Sequence, residues 1–173
     1  MLISKRMAAA INEQIGHEFE AELQYVAISF YFNKEGLPEL SRKFATQAVE
    51  ERDHAMRLVN YLHDTDADLA IPQVAAPRPT FKSAADAVEL SLNQEKTVTK
   101  QINALMDLAL KESDHMTQTF LQWFITEQLE EIASMETLLR VVQRAGEERL
   151  LLVEEFLVRS KGNLSAAPKD FKD

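Results

Sequence analysis

The stretch AVEERDHAMRL, residues 48–58, has the apolar spacing of a helix that buries one face, yet Glu51 and His54 occupy positions on that face. A carboxylate and an imidazole three residues apart lie on the same side of one helical turn. Burying an unpaired charge costs several kcal/mol, so this face needs a compensating positive charge. The stretch therefore predicts a helix whose inner face carries a functional polar site.

The composition favours long helices around a single core. The chain has 173 residues, 46% hydrophobic content, only 4 Gly and 5 Pro, no Cys and a net charge of −9. A chain of this size forms one domain, here residues 1–173, and without Cys it has no disulfide, thiolate-bound zinc or iron–sulfur cluster. The negative charge argues against nucleic acid as a partner and favours cations. We find no membrane span or signal peptide, and we expect a cytoplasmic protein.

Apolar periodicity and helix-breaking residues predict an all-α chain of four long helices and a short fifth. The predicted helices cover residues 4–33, 38–64, 83–111, 114–145 and 147–160. The connection over residues 65–82 holds three prolines and no helical period, and it is long enough to travel the length of a bundle. We therefore expect a four-helix bundle with one long crossover, which makes helices two and three parallel. The tail, residues 161–173, is expected to be flexible.

Each long helix has an acid near the middle of its buried stripe. These acids are Glu18, Glu51, Glu95 and Glu131. Because all four lie near the midpoints of their helices, they should meet at one level of the bundle. No Lys or Arg lies on the stripes at that level, so protons or metal ions must balance the charge. Carboxylates with one imidazole suit Fe(II), Mn(II) or Zn(II), and two divalent ions would neutralise four carboxylates.

The pattern agrees with bundles that hold two irons through one Glu from each of two helices and Glu-x-x-His from the other two. Glu18 and Glu95 supply the single acids, and residues 51–54 supply one Glu-x-x-His motif. The fourth helix instead has Gln128-x-x-Glu131. The second ion would then lack an imidazole, and Glu51 alone is placed to bridge both ions. Further acids predict a third, flanking site: Glu50, Glu127 and Glu130.

Four segments carry a family resemblance, namely NEQIGHEF (12–19), AVEERDHAMRL (48–58), LNQEKTVTKQIN (92–103) and FLQWFITEQLEE (120–131). In this order, with this long connection, they resemble a non-haem bacterial ferritin over about residues 5–160. The resemblance implies oxidation of Fe(II) by dioxygen or hydrogen peroxide at a di-iron ferroxidase centre. It also implies storage of ferric mineral in a hollow homo-oligomeric shell of about 24 subunits.

The resemblance further implies a role for individual residues. The first iron site corresponds to Glu18, Glu51 and His54. The second corresponds to Glu51, Glu95 and Glu131, with Gln128 alongside. The third site of bacterial members corresponds to Glu50, Glu127 and Glu130. The aromatic residues beside the centre correspond to Tyr25 and Trp123.

Three alternatives remain open. Bacterioferritin has a haem-ligating Met directly after the bridging Glu, where this chain has Arg52, and a second Glu-x-x-His, so we expect iron without haem. A non-storage di-iron oxidase or peroxide scavenger would use the same ligands, but it leaves the fifth helix unexplained. A structural helical module would keep its acids protonated and bind no metal. Metal content and the mass of the assembly distinguish these alternatives.

Overall fold

The structure is a computed structural model that describes the backbone of residues 1–164 and the side chains of residues 1–160. Within this range the helices are α1 (Lys5–Lys34), α2 (Pro38–Asp64), α3 (Ala84–Lys111), α4 (His115–Ala145) and α5 (Leu150–Leu164), with a 3-10 turn at Glu147–Arg149. The all-α bundle with a short fifth helix is confirmed. The fifth helix begins and ends later than predicted, so the first residues of the expected tail are helical. Residues 165–173, the rest of that tail, lie outside the described residues.

Contacts along α1 establish the relative directions of the first three helices. The amide of Leu2, just before α1, donates to the carbonyl of Thr65, just after α2, so these two helices are antiparallel. The connection that follows runs along α1, where the side-chain amides of Asn12 and Gln24 hold its backbone about three turns apart. α3 therefore starts beside the C-terminal end of α1 and runs parallel to α2. The predicted long crossover is confirmed.

The crossover approaches α1 most closely at Gly16. A Cβ atom on this residue would lie 2.4 Å from Cγ of Pro72, which is far inside normal contact distance. Glycine is thus required here by the space that the proline ring occupies, although it weakens the intrinsic stability of the helix. This close approach places the crossover directly against the N-terminal half of α1.

The N-termini of α2 and α3 are capped by acids that follow α4 in sequence. Glu154 on α5 accepts hydrogen bonds from the amides of Glu39 and Leu40, at 2.7 and 2.9 Å. Glu147 accepts one from the amide of Ala84 at 3.1 Å. The first amides of a helix lack partners within the helix and carry partial positive charge, so carboxylates stabilise them. These bonds fix α5 across one end of the bundle.

A polar layer at mid-height divides the core into two apolar clusters. One cluster includes Tyr25, Phe32 and Phe44, and the other includes Ile15 and Leu58. Within residues 1–164, no helix combines the length and the hydropathy that a membrane crossing requires. The bundle thus presents one buried polar layer, built where the apolar stripes are interrupted.

Candidate metal centre

The polar layer contains one acid from each long helix. Glu18, Glu51 and Glu95 are fully buried, and Glu131 is 5% exposed. Their charges act on one another, since Glu51 faces the charges of both Glu95 and Glu131, and Glu18 faces that of Glu51. The structure thus brings the four mid-helix acids together at one level.

Burial makes these carboxylates hard to ionise. Loss of solvation, followed by the charge of Glu51, raises the pKa of Glu18 well above its ordinary value. Loss of solvation and the charge of Glu95 raise the pKa of Glu51 in the same way. The pKa of Glu95 is raised by burial, and that of Glu131 is raised to about 7 by burial and the charge of Glu95. The layer therefore holds protons near neutral pH unless a cation replaces them.

Glu18, Glu51 and His54 form a first group of potential ligands, with one ligand atom of each lying within 4.8 Å of the others. Nδ1 of His54 is 3.3 Å from Oε2 of Glu51, and Nε2 of Gln14 donates to Oε1 of Glu18 at 2.9 Å. The remaining oxygens, Glu18 Oε2 and Glu51 Oε1, are buried without a hydrogen-bond partner among the described residues. Buried polar atoms normally have partners, so these two oxygens fit a bound cation.

A second group of potential ligands differs from the predicted second site. His54, Glu127 and Glu131 bring one ligand atom each within 4.8 Å of one another. The predicted set was Glu51, Glu95 and Glu131, with Glu127 assigned to the flanking site. In the structure Glu127 approaches the centre more closely than was predicted, because the packing of α4 brings the turn before Glu131 toward His54 on α2.

Glu95 is held by hydrogen bonds from two other helices. The hydroxyl of Tyr25 donates to its Oε1, and Nε2 of Gln128 donates to its Oε2 at 3.4 Å. Thr99 donates to Oε1 of Gln128 at 2.8 Å, which orients the amide. Burial and the charge of Glu95 raise the pKa of Tyr25 well above its ordinary value, so the phenol keeps its proton. Each carboxylate oxygen has a second lone pair, which leaves Glu95 able to bind a cation as well.

Aromatic side chains fix the imidazole of His54. The rings of Trp123 and Phe124 meet it edge-on, with centroids at 5.4 and 6.0 Å. The guanidinium of Arg57 lies 4.1 Å from the centroid of Trp123 and covers its outer face. This packing limits rotation of the imidazole and excludes water from it.

The flanking acids do not all lie together. Glu50 is half-buried, its pKa is raised by burial, and it faces the charge of Glu127. Glu130 is exposed, and within the described part of the chain no hydrogen bond or ion pair joins it to the other two. The structure therefore brings Glu50 and Glu127 toward the centre and leaves Glu130 in solvent.

Three polar residues around the centre were not predicted from the sequence. Gln14 and Gln47 each stand four residues before a buried acid, one helical turn away on the same face. Lys43 lies one turn before Gln47, and burial lowers its pKa. The prediction concerned only Lys and Arg on the buried stripes, and Lys43 lies beside them, but its long side chain extends toward the charges of Glu50 and Glu131. The four-residue spacing was the available signal.

Comparisons with known proteins agree over most of the chain. Residues 8–145 match the family model described as a ferritin-like domain. The chain is 43% identical over 166 residues to "Ferritin BfrB" of Mycolicibacterium smegmatis, covering 96% of this chain and 91% of that protein. It is 35% identical over 147 residues to "Bacterial non-heme ferritin" of Staphylococcus aureus strain MRSA252, covering 85% and 89%. A solved structure of an open pore ferritin from the archaeon Archaeoglobus fulgidus superposes with a TM-score of 0.87 at 32% identity, covering 90% and 96%.

Proposed function

Because the chain belongs to the ferritin family of iron-storage proteins, we propose that it oxidises Fe(II) at the buried centre and stores the ferric product in a hollow shell of about 24 identical subunits. Iron is both substrate and cargo in this proposal. The observation that carries it is the pair of partnerless buried oxygens, Glu18 Oε2 and Glu51 Oε1, beside His54. Buried polar atoms usually have partners, and unpaired carboxylate oxygens beside an imidazole are suited to a divalent cation.

We assign the first Fe(II) to Glu18, Glu51 and His54, which already lie within ligand distance of one another. The second Fe(II) is assigned to Glu51, Glu95 and Glu131, with Gln128 alongside. Glu51 bridges the two ions in this scheme, and Tyr25 holds Glu95 in place through its hydroxyl. With one imidazole in the whole centre, the first ion should be bound more tightly than the second.

The oxidation step balances with either oxidant. Two Fe(II) ions lose one electron each, and dioxygen accepts both electrons with two protons and leaves as hydrogen peroxide. Where hydrogen peroxide is the oxidant, it accepts two electrons and two protons and leaves as two waters. The protonated carboxylates of the metal-free layer release their protons as the cations enter, because a ligand must be deprotonated to bind.

Flanking acids would receive the ferric product. Glu127 already lies beside Glu131 and His54, and Glu50 lies on the same side of the centre, so both are suited to a third site. Glu130 is assigned to this site from the sequence and would need to turn inward. Hard carboxylate oxygens suit Fe(III), which favours movement of the oxidised ion away from the imidazole.

Exposed apolar residues on α1 and α5 are evidence for the proposed assembly into a shell. Leu23, Val26 and Phe30 form a row along one face of α1, and Phe30 is 69% exposed. Leu151 and Leu152 are likewise exposed on α5. Contiguous apolar surface of this kind marks protein–protein contacts, so we infer that neighbouring copies cover it. The proposed assembly is cytoplasmic and has neither nucleic acid nor a membrane as a partner.

The proposed centre contains no haem. Arg52 stands directly after the bridging Glu51, and a guanidinium is not an axial haem ligand. Its side chain is exposed and lies 3.9 Å from the carboxylate of Glu22. An absorption spectrum after expression with added haem tests this part of the proposal, and a stoichiometric haem band would favour the bacterioferritin alternative.

The proposal is tested by adding Fe(II) in air to the purified protein, recording oxygen consumption and sizing the product by electron microscopy and light scattering. We expect rapid oxidation and a large hollow particle with a mineral core. The variant Glu18→Gln should assemble but oxidise Fe(II) at least about tenfold more slowly. Oxidation by a small species without mineral would favour a di-iron oxidase or peroxide scavenger. Absence of metal binding would favour the structural module.

A further inference from the structure

We propose that Gln47, oriented by Lys43, is a positioning residue that couples the paired metal centre to the flanking acids. This inference rests on the proposed function, because it concerns how ions leave the centre. It adds a residue pair that the ligand pattern does not include.

Gln47 donates to carboxylates from two helices. Its Nε2 lies 2.6 Å from Oε2 of Glu50 on α2 and 3.0 Å from Oε2 of Glu131 on α4. Gln47 is 5% exposed, so water does not compete strongly for these bonds. A side-chain amide nitrogen carries two hydrogens, which supplies one for each carboxylate. One buried group therefore holds a predicted ligand of the centre and a predicted ligand of the flanking site.

Lys43 dictates which way this amide points. Its Nζ lies 3.4 Å from Oε1 of Gln47 and 3.0 Å from Oγ of Ser134. An ammonium only donates hydrogen bonds, so it requires the amide oxygen to face it. A flipped amide would place its NH2 group against the ammonium and its oxygen against two carboxylates. Both contacts would be repulsive, so the orientation that serves Glu50 and Glu131 is the favoured one.

The same pair offsets repulsion between the acids. Glu50 and Glu131 face each other's negative charge, and Lys43 faces both. Without a donor between them the two carboxylates would separate, because like charges in a partly buried site repel strongly. Gln47 and Lys43 thus keep the carboxylates close, and each carboxylate oxygen retains a further lone pair for a cation.

Glu131 has the centre on one side and Gln47 on the other. It lies within ligand distance of His54 and Glu127, and it also accepts the Gln47 bond. A cation that draws Glu131 inward must stretch or redirect this bond, and the amide then pulls on Glu50. Occupancy of the centre is in this way transmitted to the acid that receives the next ion.

The test uses the full-length assembled protein and Zn(II), which binds carboxylate–imidazole sites and is not oxidised. Calorimetric titration of the parent should show two tighter sites and a weaker third site per subunit. Gln47→Met keeps the volume and removes both donors, so it should weaken the third site at least about tenfold and change the first two by less than about threefold. Lys43→Met should act in the same direction with a smaller effect, because it acts through Gln47.

Lys96→Met is the matched control, because this substitution removes the same charge from the surface, where Lys96 pairs with Glu136 at 3.6 Å. It should leave all three affinities unchanged. A parent with only two sites, or a Gln47→Met variant whose third site equals that of the parent, overturns the inference. A Lys96→Met effect equal to that of Lys43→Met also overturns it, since net charge alone would then suffice. Loss of the third site in a protein that does not oxidise Fe(II) would refute the proposed function and leave the coupling intact.

Discussion

Glu18 and Glu51 face each other within the buried layer, and each keeps one oxygen without a hydrogen-bond partner among the described residues. These two atoms sit in a region where burial opposes ionisation. A proton or a cation relieves that opposition, and the two compete for the same oxygens. The stability of the fold is therefore linked to the state of the centre.

The metal-free protein should lose stability as pH rises. The pKa of Glu in an unfolded chain is about 4.3, whereas the folded pKa of Glu131 is about 7 and those of Glu18 and Glu51 are also raised. Below the unfolded pKa the acids are protonated in both the folded and the unfolded state, so folding buries neutral carboxylic acids and carries no penalty for buried charge. Between the unfolded and the folded pKa values only the unfolded state ionises freely, so the stability present at low pH is lost as pH rises to and through the folded values.

Thermal melting of chelator-treated protein between about pH 5 and 8 measures this loss. The midpoint should fall across the interval, most steeply between the unfolded pKa of about 4.3 and the folded pKa of Glu131 at about 7. Protein loaded with Zn(II) is the control and should show no such fall, because cations replace the protons. A metal-free midpoint that stays level or rises with pH would contradict the prediction.

Neutralising one acid should stabilise the metal-free fold. Glu18→Gln keeps the shape of the side chain and removes one acid whose ionisation is opposed by burial, so the free energy of unfolding at about pH 8 should rise by about 1–3 kcal/mol. Urea denaturation of metal-free protein measures the change. Glu20→Gln on the exposed side of the same helix is the control and should change stability by less than about 0.5 kcal/mol. Equal effects at both positions would show that net charge, not burial, is responsible.

How far the sequence could predict the centre depended on the kind of signal. Glu18, Glu51, Glu95 and Glu131 could be predicted because each interrupts an apolar stripe, and helical periodicity is a local property. The grouping of Glu127 with His54 could not, because it depends on the rotation of α4 relative to α2. That rotation is set by packing between helices and leaves no mark in the spacing.

The helix ends show the same division. Ser4 and Ser83 could be recognised before their helices, because each caps its own helix from the preceding position. The caps from Glu147 and Glu154 could not be predicted, since they come from distant parts of the chain. Lys43 was missed for a related reason, because a long side chain can reach a site well beyond the position of its Cα.

Replacing Glu51 should damage both iron sites, whereas replacing His54 should mainly damage the first. Glu51→Ala removes the proposed bridge, and His54→Ala removes a ligand assigned to the first site, although His54 also lies within ligand distance of Glu127 and Glu131. Rapid mixing with two Fe(II) per subunit should show initial oxidation slowed at least about tenfold in Glu51→Ala and less in His54→Ala. Anaerobic Fe(II) titration should find both sites weakened in the first variant and one in the second. A normal initial rate in Glu51→Ala would remove the basis for the bridge.

The contribution of the Glu154 cap to the docking of α5 should be measurable by hydrogen exchange in α5. Glu154→Ala leaves the amides of Glu39 and Leu40 without this acceptor, which should weaken docking of α5 by about 1–2 kcal/mol. Hydrogen exchange of the amides in residues 150–160 should speed up while the centre of α1 stays protected. Glu155→Ala is the control, because among the described residues Glu155 makes only a surface ion pair, with Arg159 at 3.3 Å. Unchanged exchange in Glu154→Ala would show that apolar contacts alone hold α5.

Gly16→Ala should destabilise the bundle despite the better helix propensity of alanine. The propensity gain is about 1 kcal/mol, but the new Cβ would meet Pro72 Cγ at 2.4 Å and force the crossover away from α1. Overpacking of this kind costs about 1–3 kcal/mol, so after the propensity gain we expect a net loss of up to about 2 kcal/mol in the free energy of unfolding. Chemical denaturation of the metal-free protein at fixed pH gives the value.

The double variant Gly16→Ala/Pro72→Ala isolates the contact. Alanine at position 72 lacks Cγ and Cδ, and the remaining Cβ would lie 3.8 Å from the new methyl group, an ordinary contact distance. The double variant should therefore be more stable than the sum of the single changes predicts, with a coupling of about 1 kcal/mol or more. Additive effects would mean that the crossover moves away from the methyl group without strain. Gly16 would then not be required for the crossover to pack against α1.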